Sequence, residues 1–235
     1  MKLSIRTKLT LAIGLPFPAE IRGRIQNIQK KLEVSAPGRI TWYGAEHLHT
    51  TLFAPLRGRY REGPPLQREE LPADLPDFTR ELSNFFRQRQ PFTLELQGVH
   101  STPDGRVVVR ENTLAWQLAS CLQNYPKLDR SKHHKGLHIN IGFFNAAQPF
   151  ATDEERARFE TALAQFIDTP VDRMTVGQVW LVHYANRTLN RIVGKVPFTL
   201  GRANALSVER LLQKLGVTAS RNRLRLEVEN KGGIG

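Results

Sequence analysis

Two short runs constrain this chain more than any other part of it: Glu46-His47-Leu48-His49-Thr50-Thr51-Leu52-Phe53 and Gly136-Leu137-His138-Ile139-Asn140-Ile141-Gly142-Phe143. Each sets apolar residues around a histidine that is followed, two residues on, by a small hydrogen-bonding side chain. That is the alternation of a strand. On a strand, residues i and i+2 leave the same face about 6.5–7 Å apart, so His49 stands beside Thr51 and His138 beside Asn140. Two such pairs facing each other across a cleft would surround one phosphate. One imidazole takes a proton from an attacking hydroxyl or water, the other protonates the departing oxygen, and the hydroxyl and amide hold the non-bridging oxygens. Such chemistry calls for no metal and no cofactor. Which histidine is acid and which is base depends on substrate orientation.

The pair of His-x-Thr-like strands, His49-Thr50-Thr51 and His138-Ile139-Asn140, 89 positions apart, resembles the signature of the 2H phosphoesterases. That superfamily includes bacterial RNA 2′,5′-ligase/cyclic phosphodiesterases. The resemblance implies a bilobal α+β fold, two antiparallel sheets lining a central cleft with helices packed outside. It implies His49, Thr51, His138 and Asn140 as the catalytic set. Asn140 departs from the pattern, since the family carries Thr or Ser there, but its amide still offers donors.

The bulk properties fit. Lys and Arg total 34 against 22 Asp and Glu, a net charge of +12, which favours a polyanionic partner. The single cysteine, Cys121, leaves no disulfide framework or Cys-rich zinc site, as in a reducing, cytoplasmic setting. The apolar run from Leu9 to Leu15 is short and ends in Pro16-Phe17-Pro18, so it reads as a strand and not a leader, and no apolar run is long enough to span a bilayer.

Taken in order, Thr7 to Leu15 reads as a strand. Ile21, Ile25, Ile28 and Leu32 recur at helical spacing, ending near Ser35-Ala36-Pro37-Gly38, and Arg39 to Tyr43 leads as a short extended piece into the first motif. Arg57 to Pro76, with four prolines, is a long surface loop. Phe78, Leu82, Phe85 and Phe86 mark a helix, Phe92, Leu94 and Leu96 a strand, and Pro103-Asp104-Gly105 a turn before Val107 to Arg110 returns. Asn112 would cap a helix through Leu122. Thr152 with Glu155 forms a capping box for a helix to about Ile167. Met174 to Tyr184 and Leu189 to Leu200 look like a hairpin, Leu206 to Leu215 a helix stopped by Gly216, and Arg221 to Val228 a last strand. This alternation gives α+β lobes with antiparallel sheets: one bilobal unit over 1–229, with 230–235 as a disordered tail.

Four further residues are candidates for substrate binding. Lys132 and Lys135 flank His133-His134 just upstream of the second motif, where a charge run is otherwise a solvated loop. Tyr43 and Tyr184 are aromatic rings placed to stack on a base. His183 and Tyr184 would point to opposite faces of one strand, and Trp180 reads as core. His47, on the face of His49, is an ordinary strand-entry histidine with no carboxylate cluster to make a metal site. The expectation is a monomer that acts on RNA or a nucleotide with a cyclic phosphate and has no membrane partner. Rival readings are a binding module of the same fold without catalysis, and a phosphodiesterase for cyclic oligonucleotides.

Overall fold

The computed structural model describes residues 8–56, 75–111, 117–118, 120–121, 137–184, 191–204 and 206–217. Of the loop expected from Arg57 to Pro76, residues 57–74 lie outside the described residues, and Leu75 and Pro76 are helical. The charged segment of Lys132 and Lys135, most of the helix expected from Asn112, and the strand and tail expected from Arg221 on also lie outside them. Among the described residues no helix is long and apolar enough to cross a membrane.

The chain opens with β1 (Lys8–Ile13). It turns at Gly14, where a positive φ of 80° and the nearby Phe17 ring leave no room for a Cβ. Helix α1 (Ala19–Ser35) starts directly after Pro18 and buries Ile21, Ile25, Ile28 and Leu32, as the spacing predicts, together with Gln29. Strand β2 (Ile40–Trp42) and a single 3₁₀ turn (Ala45–His47) lead into β3 (Thr50–Leu56). His47 therefore belongs to the turn and not to the strand, and His49 stands just before β3. Next come α2 (Leu75–Arg87), β4 (Phe92–Ser101), β5 (Arg106–Glu111) and β6 (His138–Phe144). Helix α3 (Asp153–Ile167) carries the expected cap, with the Thr152 side chain accepting from the Glu155 N–H. The Glu155 carboxylate reaches back to the Ala151 N–H and is held by Arg39 at 2.7 and 3.2 Å.

Met174 to Tyr184 is not one arm of a hairpin. It divides at Gly177 into β7 (Asp172–Val176) and β8 (Gln178–Tyr184), and only β8 pairs with β9 (Ile192–Thr199). Strand β7 pairs instead with β4. Helix α4 (Val208–Lys214) follows, ended by Gly216 at φ 66°.

All strand pairs are antiparallel, in the order β7-β4-β5-β6-β3-β1-β8-β9, with β2 also paired to β6. The two wings, β7-β4-β5-β6 with β2 and β3-β1-β8-β9, meet at one residue pair, Thr50 with Ile139. Because β7 and β8 stand far apart in that order yet are joined by Gly177 alone, the sheet must curl until the two wings approach at that point.

One face of the curled sheet buries the main core. Leu48, Leu52, Leu94, Leu96, Val107, Val109, Ile139, Ile141, Val179, Leu181, Val196 and Phe198 pack there against apolar residues of the described helices. Each fully buried side chain of this kind is worth about 1.5–3 kcal/mol, which fixes the register, since a one-residue slip would turn the set outward. The opposite face carries a small second cluster, Ala12, Leu15, Val182 and Tyr184, with Trp180 and Ile192 against it.

Candidate active site

The motif strands overlap only at their N-terminal ends. His49 immediately precedes β3, His138 is the first residue of β6, and the antiparallel pair between them is Thr50 with Ile139. Both members of that pair are fully buried on the core face. Antiparallel register then sets Thr51 opposite His138 and His49 opposite Asn140, all four on the other face. The two histidines are diagonal neighbours, about 7–8 Å apart at the backbone. The expected four residues thus come together on adjacent strands of one curled sheet, at the seam between its wings.

His49 is 7% exposed. Its Nδ1 lies 2.8 Å from the His47 carbonyl oxygen, and a carbonyl only accepts, so Nδ1 carries a proton. The ring stacks on Tyr184, with centroids 5.3 Å apart and planes at 28°. Tyr184 is wholly buried, its hydroxyl finds no partner among the described residues, and burial pushes its phenol well above the ordinary range. The ring expected to stack on a base stacks on the histidine. His183 turns the other way, as alternation requires, and its Nδ1 donates to the Leu215 carbonyl at 2.7 Å. Burial lowers its tendency to take a second proton.

His138 meets Arg106, one strand away, with Nη1 2.8 Å from Nε2. A guanidinium only donates, so here Nε2 accepts and the imidazole proton sits on Nδ1. Asp104 holds the same guanidinium, with 2.8 Å between Nη2 and its carboxylate. Hydrogen bonds from Thr102 and Arg106 keep the Asp104 carboxyl below its usual range. Asn140 sits between the histidines with its Oδ1 buried and unpartnered among the described residues.

Behind the seam, on the core side, Thr50 donates to Oε1 of Glu111, which reaches over from β5. The other oxygen, Oε2, is buried with no partner among the described residues, and burial pushes the carboxyl up to about 8. Gln29 of α1 donates to the carbonyls of Tyr43 and Ile141, each at 2.9 Å, and so pins β6 just beyond Asn140. That is also where β6 carries an extra residue relative to β5. Tyr43 lies in the main core, 8% exposed, its ring 5.5 Å from that of Phe143. Among the described residues no group of three or more His, Cys, Asp and Glu side chains is placed to hold a metal ion.

The sequence reading missed Arg106 and Glu111. Arg106 follows the predicted turn and alternation puts it on the face of Val108 and Arg110, a signal that becomes legible only once β5 is known to neighbour β6. No local signal marks Glu111.

The sequence matches no protein-family model and no curated protein sequence. In structure the chain is similar to TT0787 of Thermus thermophilus, with a TM-score of 0.52 and 17% identity over 81% of this chain and 97% of that one. It is similar also to Escherichia coli LigT, solved with ATP, with a TM-score of 0.50 and 21% identity over 82% and 98%. LigT solved with 3′-AMP gives 0.50 and 20% over 81% and 94%. This likeness shows the fold, and it is the α+β fold that the resemblance to the 2H phosphoesterases implies.

Proposed function

We propose that this chain is a metal-independent phosphoesterase of the 2H type, acting on a 2′,3′-cyclic phosphate end or a 2′,5′ linkage of RNA or a nucleotide. The observation that carries the reading is the single Thr50–Ile139 pair, which sets His49, Thr51, His138 and Asn140 on one face at the seam of the two wings. The nucleotides bound by LigT in its solved structures, ATP and 3′-AMP, support a nucleotide ligand. The net charge of +12 supports RNA.

The surroundings of the two imidazoles divide the roles. A guanidinium against Nε2 favours neutral His138, the form of a general base. That leaves the donation of a proton to the departing oxygen to His49, whose ring is held by Tyr184 and by the His47 carbonyl. An incoming phosphate draws Arg106 onto its own oxygens and uncovers Nε2 of His138. His138 then takes a proton from water, the water oxygen bonds to phosphorus, the bond to one ribose oxygen breaks, and that oxygen takes a proton from His49. Thr51 and the turned amide of Asn140 donate to the non-bridging oxygens. A 5′-hydroxyl in place of the water would give up its proton to His138 and bond to phosphorus in the same way, which joins the two ends through the same groups. Incubation with cyclic-phosphate RNA, 2′,5′-linked oligonucleotides and cyclic dinucleotides, read by mass spectrometry, tests the reading. Opening or joining of the first two supports it, while RNA bound with unchanged ends would mean a binding module.

A further inference from the structure

We infer that Arg110 and His100 form a second phosphate subsite beside the two histidine motifs, one that takes the 5′ phosphate of the terminal nucleotide of an RNA chain. The assignment rests on the phosphoesterase reading above. On β5, Val107 and Val109 enter the main core, so Arg106, Val108 and Arg110 lie on the face of the site. Register places the two residues. Arg110 pairs with His138. His100 pairs with Val108, Val108 with Asn140, and Asn140 stands opposite His49, so these four form one row across β4, β5, β6 and β3. At about 4.8 Å per strand, Arg110 is one strand from His138, and His100 is two strands, about 10 Å, from Asn140.

Arg110 is exposed and has no ion pair among the described residues, whereas Arg106 on the same strand is tied to Asp104 and His138. Half-buried His100 feels the difference. Burial first and the Arg110 charge second lower the pull of its ring for a second proton, with Asp168 acting the other way. The two side chains therefore stand together on the site face, and a neutral imidazole still offers one N–H. The rest of that face decides where a chain can run. Beyond β3, Ala12, Val182 and Tyr184 are wholly buried, and the Lys195 ammonium covers the Trp180 ring at 4.8 Å. Beyond β5, Thr93, Glu95, Gln97, Arg173 and Thr175 are all exposed, with Glu95 paired to Arg173 in register. A 2′,3′-cyclic phosphate closes the 3′ end of its chain, so every further phosphate lies on the 5′ side of the terminal ribose. With the cyclic phosphate at the seam, that side leaves over the open wing, where Arg110 is the uncommitted cation and His100 the spare donor beside it.

The test uses the full chain and its R110M and H100Q variants, with adenosine 3′-monophosphate and adenosine 3′,5′-bisphosphate as probes in titration calorimetry. A hydrogen bond to a charged group is worth roughly 10-fold in affinity or more. The parent should therefore bind the bisphosphate more tightly than the monophosphate by at least that factor. R110M should lose most of this preference and H100Q part of it, while both bind the monophosphate as the parent does. With a 5′-extended oligonucleotide, R110M should also reduce the slope of log affinity against log salt by about 1. Equal binding of the two probes by the parent, or the full preference kept in R110M, would overturn the subsite. Loss of both probes alike in R110M would put Arg110 on the reacting phosphate and overturn it too. A preference lost in R110M, in a protein that opens no cyclic phosphate, would keep the subsite and remove the phosphoesterase reading. Opening of cyclic phosphates that is indifferent to a 5′ phosphate in parent and variants would remove the subsite and keep that reading.

Discussion

Arg106 donates from Nη1 to Nε2 of His138 at 2.8 Å, from a strand that the sequence places 32 residues earlier. This contact opposes a proton on the nitrogen that must start unprotonated in a general base. Removing the guanidinium should move the acidic limb of the pH–rate profile to higher pH in Arg106→Ala, and raise KM through loss of a phosphate partner. Arg106→Lys should restore part of the phosphate affinity without the fixed geometry. An acidic limb that stays in place in Arg106→Ala would mean that the contact does not govern His138.

Glu111 makes a prediction about stability. Its carboxyl, ordinarily near 4.5, is raised to about 8 by burial. Between those values the folded chain keeps a proton that the unfolded chain has lost, so stability falls as pH rises through the window and is level above it. The whole effect is up to about 5 kcal/mol. Glu111→Gln should unfold at the same temperature as the parent near pH 4 and at a higher one above pH 8. Parallel melting curves for the two proteins across that range would show that Glu111 titrates normally.

Much of the fold was legible in the chain because periodicity is a local signal. Ile21, Ile25, Ile28 and Leu32 announced α1, and Phe92, Leu94 and Leu96 announced β4. The division of Met174 to Tyr184 was not legible, since a single Gly inside an apolar run looks like one strand, and only the pairing of β7 with β4 shows the break. The four motif residues were found from i, i+2 alternation. What surrounds them was not, because Arg106 meets His138 across strands while Glu111 and Gln29 hold the neighbouring Thr50 and Ile141, and such partners follow from register. Trp180 does pack as an apolar residue, against Ala12, Leu15, Val182 and Tyr184, but an apolar strand does not say which of its faces carries which cluster.

Asn140, with an unpartnered Oδ1 among the described residues in the middle of the site, should act as a phosphate donor once its amide turns. Asn140→Ala should then lower turnover by on the order of 10²-fold, the usual loss for one oxyanion donor. Asn140→Thr should retain most of the rate. If Asn140→Ala turns over like the parent, the residue is structural.

Activity should survive excess chelator, since no step of the proposed reaction passes through a metal ion. Loss of turnover in chelator, regained with zinc or manganese, would replace the two-histidine mechanism with a metal-assisted one.

Opposite jobs for the two imidazoles require a particular pH profile. A base must start neutral and an acid must start protonated, so the rate should rise as one group deprotonates and fall as the other does, giving a bell. Its limbs belong to the coupled pair and cannot be assigned from the parent curve. Substitution assigns them. With Arg106 against His138 and Tyr184 beneath His49, His138→Ala should lose the acidic limb and His49→Ala the basic one. A diester whose leaving group is a nitrophenolate needs no proton on departure, so it should rescue His49→Ala and leave His138→Ala slow. Rescue of His138→Ala instead would exchange the two roles. A full bell of near-normal height in both variants would make β3 and β6 plain core strands and end the phosphoesterase reading.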